Sequence, residues 1–189
     1  LILAGGRSSR FGSDKAAARI GGRSLLDLAL TGLRASCRMV ATSAPAGSVA
    51  ASLAADLGLA VLTDRAGDPP GPLAGIRAGL DWAGTQGMQR LAVRPVDTPF
   101  LADDIFERLG DAMADAPAAY CVSPDGPQPL CALWTLRPLT DLNAILAGQD
   151  HPPVYRWLDD IGAVRLHVEQ AAMFANFNTP AEFARLQKN

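Results

Sequence analysis

The sequence predicts an α/β fold with a mostly parallel central sheet and helices on both faces. Three observations carry this. Short apolar runs alternate with longer amphipathic or Ala-rich runs along most of the 189 residues. Chemistry-bearing residues fall just past the ends of the apolar runs. No internal repeat, low-complexity tract or linker interrupts the pattern, so one domain spanning residues 1–189 is expected.

The elements follow in order. Leu1-Ile2-Leu3-Ala4 reads as a strand that runs directly into a Gly-rich loop. Ser24 is the expected N-cap of an amphipathic helix beginning Leu25-Leu26-Asp27-Leu28-Ala29-Leu30. Arg38-Met39-Val40-Ala41 reads as the second strand, and the Ala-rich stretch from Ser48 to Leu57 as a helix. Leu59-Ala60-Val61-Leu62 is the third strand, ending at Thr63-Asp64. The Gly/Pro loop 67–72 leads into a helix from Leu73 to Trp82. The run from Arg90 to Val96 is the fourth strand, with Asp97 at its end. Asp103 to Met113 reads as a helix. Ala118–Ser123 and Leu130–Leu136 read as two strands joined by the turn Pro124-Asp125-Gly126-Pro127, which adds antiparallel character to the C-terminal half. Leu139–Leu146 and Pro153–Leu158 look helical, and Ala163–Val168 is a late strand. Thr179-Pro180-Ala181-Glu182 is a capping box with Pro at the first helical position, so a closing helix is expected.

Composition narrows the function. Hydrophobic residues make up 49% of the chain and charged residues 19%, which suits a packed globular protein. The net charge of -2 offers no global basic field for nucleic acid or an anionic membrane. Positive charge is local instead: Arg7, Arg10 and Lys15 share one loop, with Arg19 and Arg23 just beyond. A small, highly anionic ligand fits that pattern. Cys37, Cys121 and Cys131 form neither a zinc motif nor an even disulfide framework, which fits a reducing cytoplasm. No membrane span or signal peptide is visible. The chain opens inside a predicted strand without Met, so a few native residues are expected to precede Leu1.

The loop that follows the first strand is Gly5-Gly6-Arg7-Ser8-Ser9-Arg10-Phe11-Gly12-Ser13-Asp14-Lys15. Its glycines let backbone N–H groups approach a phosphate chain, and Arg10 and Lys15 supply the matching charge. The spacing is neither that of a P-loop nor that of the dinucleotide fingerprint. A Gly-rich β-to-α turn with solvated charges is the bland alternative. Asp97, at a strand end in Val96-Asp97-Thr98-Pro99, suits a metal ligand held over such a site; a turn or capping carboxylate is the alternative. His151 and His167 need no catalytic role, because a phosphate acceptor can attack directly.

The form Leu-Ala-Gly-Gly-x-Ser-x-Arg-x-Gly-x-Asp-Lys resembles the signature of nucleotidyltransferases, and looks most like the molybdenum cofactor guanylyltransferases, the MobA family. The resemblance implies a three-layer Rossmann-like nucleotidyltransferase fold. It implies transfer of GMP from GTP to the phosphate of molybdopterin, or of molybdenum-molybdopterin, with Mg²⁺ as cofactor and pyrophosphate as the leaving group. Asp97 then matches the Mg²⁺-binding Asp, and Lys15 and Arg10 match the phosphate-binding cations. Leu3, Ala4, Gly5, Gly6 and Gly75 match positions that place the nucleotide. For Asp64 a guanine contact and a plain loop carboxylate both stand. Gly75, in Gly71-Pro72-Leu73-Ala74-Gly75, equally suits helix entry after a Pro-fixed turn. Gln128-Pro129-Leu130 resembles a segment on the pterin side. Asn176 and Asn178, in Asn-Phe-Asn-Thr-Pro, resemble the family's Asn-x-Asn-Thr-Pro and could orient phosphates or the metal shell, or serve as turn residues.

One departure concerns the end of the second strand. Some members carry Asn there, and this chain has Ala41-Thr42-Ser43. Thr42 can replace one hydrogen bond but not the paired donor and acceptor of an amide. Two rivals remain: another nucleotidyltransferase, such as a cytidylyltransferase for the same pterin, and a non-catalytic carrier of nucleotide or pterin. Transient contacts with molybdoenzyme apo-proteins or other proteins of the cofactor pathway would suit either class.

Overall fold

The computed structural model describes residues 1–5, 14–148 and 151–175. Gly6, Arg10, Asn176, Asn178 and the expected closing helix lie outside the described residues.

The main sheet has seven strands in the order β5-β4-β1-β6-β8-β7-β9. These are β1 (Ile2–Leu3), β4 (Ala41–Ser43), β5 (Ala60–Leu62), β6 (Arg90–Pro95), β7 (Ala118–Ser123), β8 (Gly126–Thr135) and β9 (Val164–His167). Pairing is parallel from β5 through β6 and between β7 and β9, and β8 runs antiparallel to both its neighbours. The chain builds outward from β1 to β4 and β5, then returns to place β6 on the other side of β1. That reversal of direction opens a crevice beyond the carboxyl ends of β1 and β6, where α/β sheets take their ligands.

Side-chain alternation divides the core into two layers. Ala92, Ala119, Cys121 and Leu133 pack with α1 (Leu25–Ser36), α2 (Val49–Asp56) and α4 (Ile105–Met113). Leu91, Val93, Tyr120 and Trp134 pack with α3 (Pro72–Thr85), α5 (Leu139–Leu146) and α6 (Val154–Asp160). Trp134 stacks on Trp157 with ring centroids 5.3 Å apart, fastening α6 to β8. The helix starts follow their sequence signals. Ser24 Oγ accepts from the Asp27 amide at 3.1 Å, Ser48 Oγ accepts from Ala51 at 3.1 Å, and Pro72 opens α3.

Three local expectations are corrected. The second main strand is Ala41–Ser43, not Arg38–Ala41, because pairing of Thr42 and Ser43 with Ile2 and Leu3 sets the register. A small hairpin, β2 (Arg19–Ile20) with β3 (Arg23–Ser24), turns at Gly21-Gly22 and went unread in the sequence. In it Arg23 pairs with Asp27 at 2.7 Å, so this cation serves the start of α1. The β7–β8 turn is only Pro124-Asp125, and β8 begins at Gly126. The register then jumps from Cys121↔Gln128 to Tyr120↔Ala132, leaving residues 129–131 unpaired with β7. Pro129 cannot donate to a ladder, and a bulge tolerates it.

Candidate active site

Beyond the carboxyl ends of β1, β4 and β6 lies a cavity of about 600 Å³. It gathers Leu3, Ala4 and Gly5 from the end of β1, Asp14 and Lys15, Asp64 after β5, Gly71, Pro72 and Gly75 at the start of α3, and Asp97 after β6. Thus Leu3, Ala4, Gly5, Lys15, Asp64, Gly75 and Asp97, all nominated from the sequence, line one space, whereas Thr42, Gln128 and Pro129 do not. A second cavity of about 710 Å³ lies at the opposite end of the sheet, lined by Leu1, Arg90 and Trp82 among others, and holds none of those residues.

Thr42 is a correction. It is fully buried at the centre of β4 and does not line the cavity; its neighbour Ser43 does. A one-residue step along a strand reverses the face a side chain presents, so the two cannot exchange roles. Thr42 Oγ1 is left without a hydrogen bond in the described core. Ser43 meets α3 at Gly75, where a Cβ would lie 2.5 Å from Ser43 Oγ and 3.1 Å from Leu3 Cδ2. Gly75 is therefore the residue that lets α3 close on this wall of the cavity.

Lys15 and Asp97 meet across the reversal point, with Nζ 2.9 Å from Asp97 Oδ2 and side-chain exposures of 17% and 19%. The sequence placed these charges 82 residues apart, and the β1–β6 pairing joins them. Asp14, to which sequence reasoning gave no role, sets the position of Lys15. Its Oδ1 accepts from the Ala16 amide at 3.0 Å and its Oδ2 from the Ala50 amide of α2 at 2.9 Å. A carboxylate bound by two backbone amides is committed to structure, leaving Lys15 as the cation of a rigid turn. Its place directly before Lys15 was the available signal.

At the opposite wall, partial loss of water around Asp64, which remains exposed at the cavity rim, is the main force that raises its carboxyl above its ordinary range, with Asp68 adding to the shift and Arg77 opposing it. Arg77, buried on α3, makes an ion pair with Asp68 and lies 3.7 Å from Asp81. Asp68 also accepts from the Arg65 amide at 3.1 Å, so this cluster ties the loop carrying Asp64 to α3. The i,i+4 spacing of Arg77 and Asp81 was the visible clue. Leu130, thrown out of the ladder by the bulge, closes a further side of the cavity, while Gln128 donates to Ser123 Oγ at 3.1 Å.

Chemically, the described residues of the cavity present the Lys15 ammonium paired with the Asp97 carboxylate, with Asp64 and the glycines Gly71 and Gly75 on other parts of the lining. That arrangement suits a phosphorylated ligand with an attached base. Among the described residues there is no cluster of three or more His, Cys, Asp or Glu side chains that could hold a metal. No described helix is long and apolar enough to cross a membrane.

Residues 1–163 match the family described as a MobA-like NTP transferase domain. The chain is 36% identical over 188 residues to a molybdenum cofactor guanylyltransferase of Cereibacter sphaeroides, covering 99% of this chain and 94% of that protein. It is also 36% identical over 194 residues to a protein of the same name from Rhodobacter capsulatus, covering 99% and 93%. Among solved structures, molybdopterin-guanine dinucleotide biosynthesis protein A from Archaeoglobus fulgidus superposes with a TM-score of 0.79 at 22% identity, covering 99% of this chain and 95% of that one. A 2-C-methyl-D-erythritol 4-phosphate cytidylyltransferase from Thermus thermophilus superposes at 0.70 with 20% identity, covering 99% and 96%, and so shares the fold. With the profile spanning most of the sequence and the curated relatives aligned nearly end to end, the chain belongs to the MobA-like NTP transferase family.

Proposed function

We propose that this chain transfers GMP from GTP to the phosphate of molybdopterin, releasing pyrophosphate and forming the guanine dinucleotide form of the cofactor. The observation that carries the chemistry is the Lys15–Asp97 pair at the reversal point of the sheet, inside the cavity that also holds Gly5, Asp64 and Gly75.

The residues present fit Mg²⁺ in the manner usual for nucleotide enzymes. Asp97 offers one hard carboxylate, and the substrate phosphates supply further oxygens. When bound, Mg²⁺ neutralises charge on the phosphates and the leaving pyrophosphate. The chain's own groups do the positioning. Lys15 holds phosphate oxygens with an ammonium whose place is set by the Asp14 staple. Asp97 faces the same point from β6. The acceptor phosphate oxygen forms a bond to the α-phosphorus of GTP, and the bond from that phosphorus to the β-phosphate bridging oxygen breaks. No protein nucleophile is needed, and catalysis rests on alignment and charge stabilisation. Asp64, Ser43 and the glycine wall serve the nucleoside and the bulge at Leu130 faces the acceptor; Arg10, Gly6, Asn176 and Asn178, given roles by the sequence resemblance alone, lie outside the described residues.

Titration calorimetry with GTP, CTP and ATP, with and without Mg²⁺, tests this reading together with pyrophosphate release in the presence of molybdopterin. GTP preference with metal-dependent release is expected. A CTP preference would keep the chemistry and change the product. Tight binding without pyrophosphate release would point to a carrier.

A further inference from the structure

Arg94 sits on β6, three residues before Asp97, on the strand face that otherwise carries Ala92 into the α1–α4 core layer. Its side chain is only 1% exposed. A charged group in that setting is costly unless its donors are met. One terminal nitrogen, Nη2, donates to the Thr98 carbonyl, and the other, Nη1, donates to the Ala29 carbonyl of α1 at 3.4 Å. Nε has no partner in the described structure. Desolvation by burial is the largest influence and holds its pKa down to about 10, opposed by Cys131 when that thiol is ionised and then by Asp103. At neutral pH it is still a cation.

Two further facts converge on this guanidinium. Gly32 lies in the interior of α1, where glycine costs about 1 kcal/mol relative to alanine. A Cβ there would fall 2.6 Å from Arg94 Nη1, so the glycine makes room for the charge. Thr98 is itself cross-braced: its hydroxyl donates to the Pro95 carbonyl at 3.1 Å, and its carbonyl also accepts from the Leu101 amide at 3.4 Å. The segment from Pro95 to Thr98 thus closes on itself, with Asp97 at its apex and Arg94 gripping its far end. Two locally unfavourable choices, a buried charge and a mid-helix glycine, meet at the guanidinium that holds the carbonyl next to Asp97.

We propose that Arg94 is a positioning residue for nucleotidyl transfer: by holding the Thr98 carbonyl from inside the core, it fixes the direction in which Asp97 projects into the cavity. The inference rests on the reading of Asp97 as the metal-side carboxylate. The guanidinium touches neither substrate nor metal, and acts through the turn. Because Thr98 O keeps the Leu101 amide and Ala29 O lies within a helix, an apolar side chain at position 94 orphans neither carbonyl. The Arg94→Met protein is therefore expected to fold.

The test compares Arg94→Met, Arg94→Lys and Gly32→Ala with the parent chain by amide hydrogen exchange and by steady-state kinetics at varied Mg²⁺ and GTP. In Arg94→Met, exchange at Val96, Thr98 and Leu101 should quicken about tenfold while α1 and α4 stay protected. The Mg²⁺ concentration for half-maximal turnover should rise and kcat fall about tenfold, with KM for GTP within about twofold. Arg94→Lys should recover part of both effects, and Gly32→Ala should reproduce them more weakly by pushing on Nη1. Exchange that is unchanged at the turn, or raised evenly across α1, α4 and β6, would overturn the proposal, as would turnover that only tracks the folded fraction. If Arg94→Met fails to fold, the lysine and Gly32 variants decide by the same readouts. Asp97→Asn serves as the separate control. Wild-type turnover in that variant removes the role given to Asp97, while the exchange data still judge whether Arg94 holds the turn.

Discussion

The two faces of the sheet each bury an arginine, and the two are held differently. On the α3 face, Arg77 is met by carboxylates, Asp68 and Asp81. On the α1 face, Arg94 is met by backbone carbonyls, those of Thr98 and Ala29. Each ties down a segment that reaches the cavity: Arg77 the loop behind Asp64, Arg94 the turn that carries Asp97. The carboxylate cluster closes on itself electrically, so removing its cation strands negative charge. The carbonyl clasp strands no buried ion when its cation goes, because Asp103, the carboxylate that acts on Arg94, is exposed to solvent. The same residue type at the same depth is therefore expected to be a stability element on one face and a geometry element on the other.

The sharpest test lies where the two faces meet, at Lys15 and Asp97. Lys15→Ala and Asp97→Asn are each expected to lower kcat by about 10²–10³, as expected for loss of one charge-stabilising group, with a smaller change in KM for GTP. Pyrophosphate release measures both, and near wild-type turnover in either would remove that residue from the chemistry.

Next in size is the contrast between the arginines. Arg77→Met should cost about 3 kcal/mol in urea unfolding, because Asp68 is left mostly buried without its partner. Arg94→Met should cost about 1 kcal/mol or less by the same measurement. Equal losses would erase the distinction drawn here.

A smaller effect is expected on the nucleoside wall. Gly75→Ala places a methyl 2.5 Å from Ser43 Oγ, so α3 must shift or Ser43 must turn. A loss of about 1–2 kcal/mol in stability is expected, with a weaker hold on GTP than on pyrophosphate. Adding Ser43→Ala should restore part of the stability, which a double-mutant cycle would show.

The smallest effect is a pH dependence at Asp64. Its folded carboxyl is raised first by partial loss of water at the cavity rim and second by Asp68. An acid whose folded pKa exceeds its unfolded value binds more protons when folded, so stability falls as pH rises through the window between the two values. Asp64→Asn should remove that loss. The variant should be slightly more stable than the parent above the window, with the difference vanishing as pH drops below the ordinary carboxylate range. Thermal melts across pH 3–8 check the sign, and a parallel fall in GTP affinity would separate the carboxylate's binding role from its cost to the fold.

Much of the fold and site was legible because it is encoded locally. The alternation of short and long apolar runs gave the layers, and Ser24, Ser48 and Pro72 marked three helix starts. Lys15 and Asp97 were nominated from residue type, from position after the first and fourth strands and from the family resemblance, and the fold places them 2.9 Å apart. The misreadings share a cause. Arg38-Met39-Val40 is more apolar than Ala41-Thr42-Ser43, yet the latter forms the strand because its partners on β1 and β5 lie there. Gln128 stands within a strand because it pairs with Cys121 of β7, and the register shift then carries Pro129 and Leu130 past that partner. Asp14, beside Lys15, was open to view, and its value depends on an amide of α2 that no local pattern points to.

By itself the sequence determined the class of fold and the family, since the opening motif is written in consecutive residues and since hydrophobic periodicity reports burial directly. Only the tertiary structure decided which groups meet. It brought Lys15 to within 2.9 Å of Asp97, turned Ser43 rather than Thr42 toward the cavity, and buried Arg77 among carboxylates and Arg94 among carbonyls. Strand order, register and the partners of a buried charge are long-range properties, fixed by packing between segments that lie far apart in the chain.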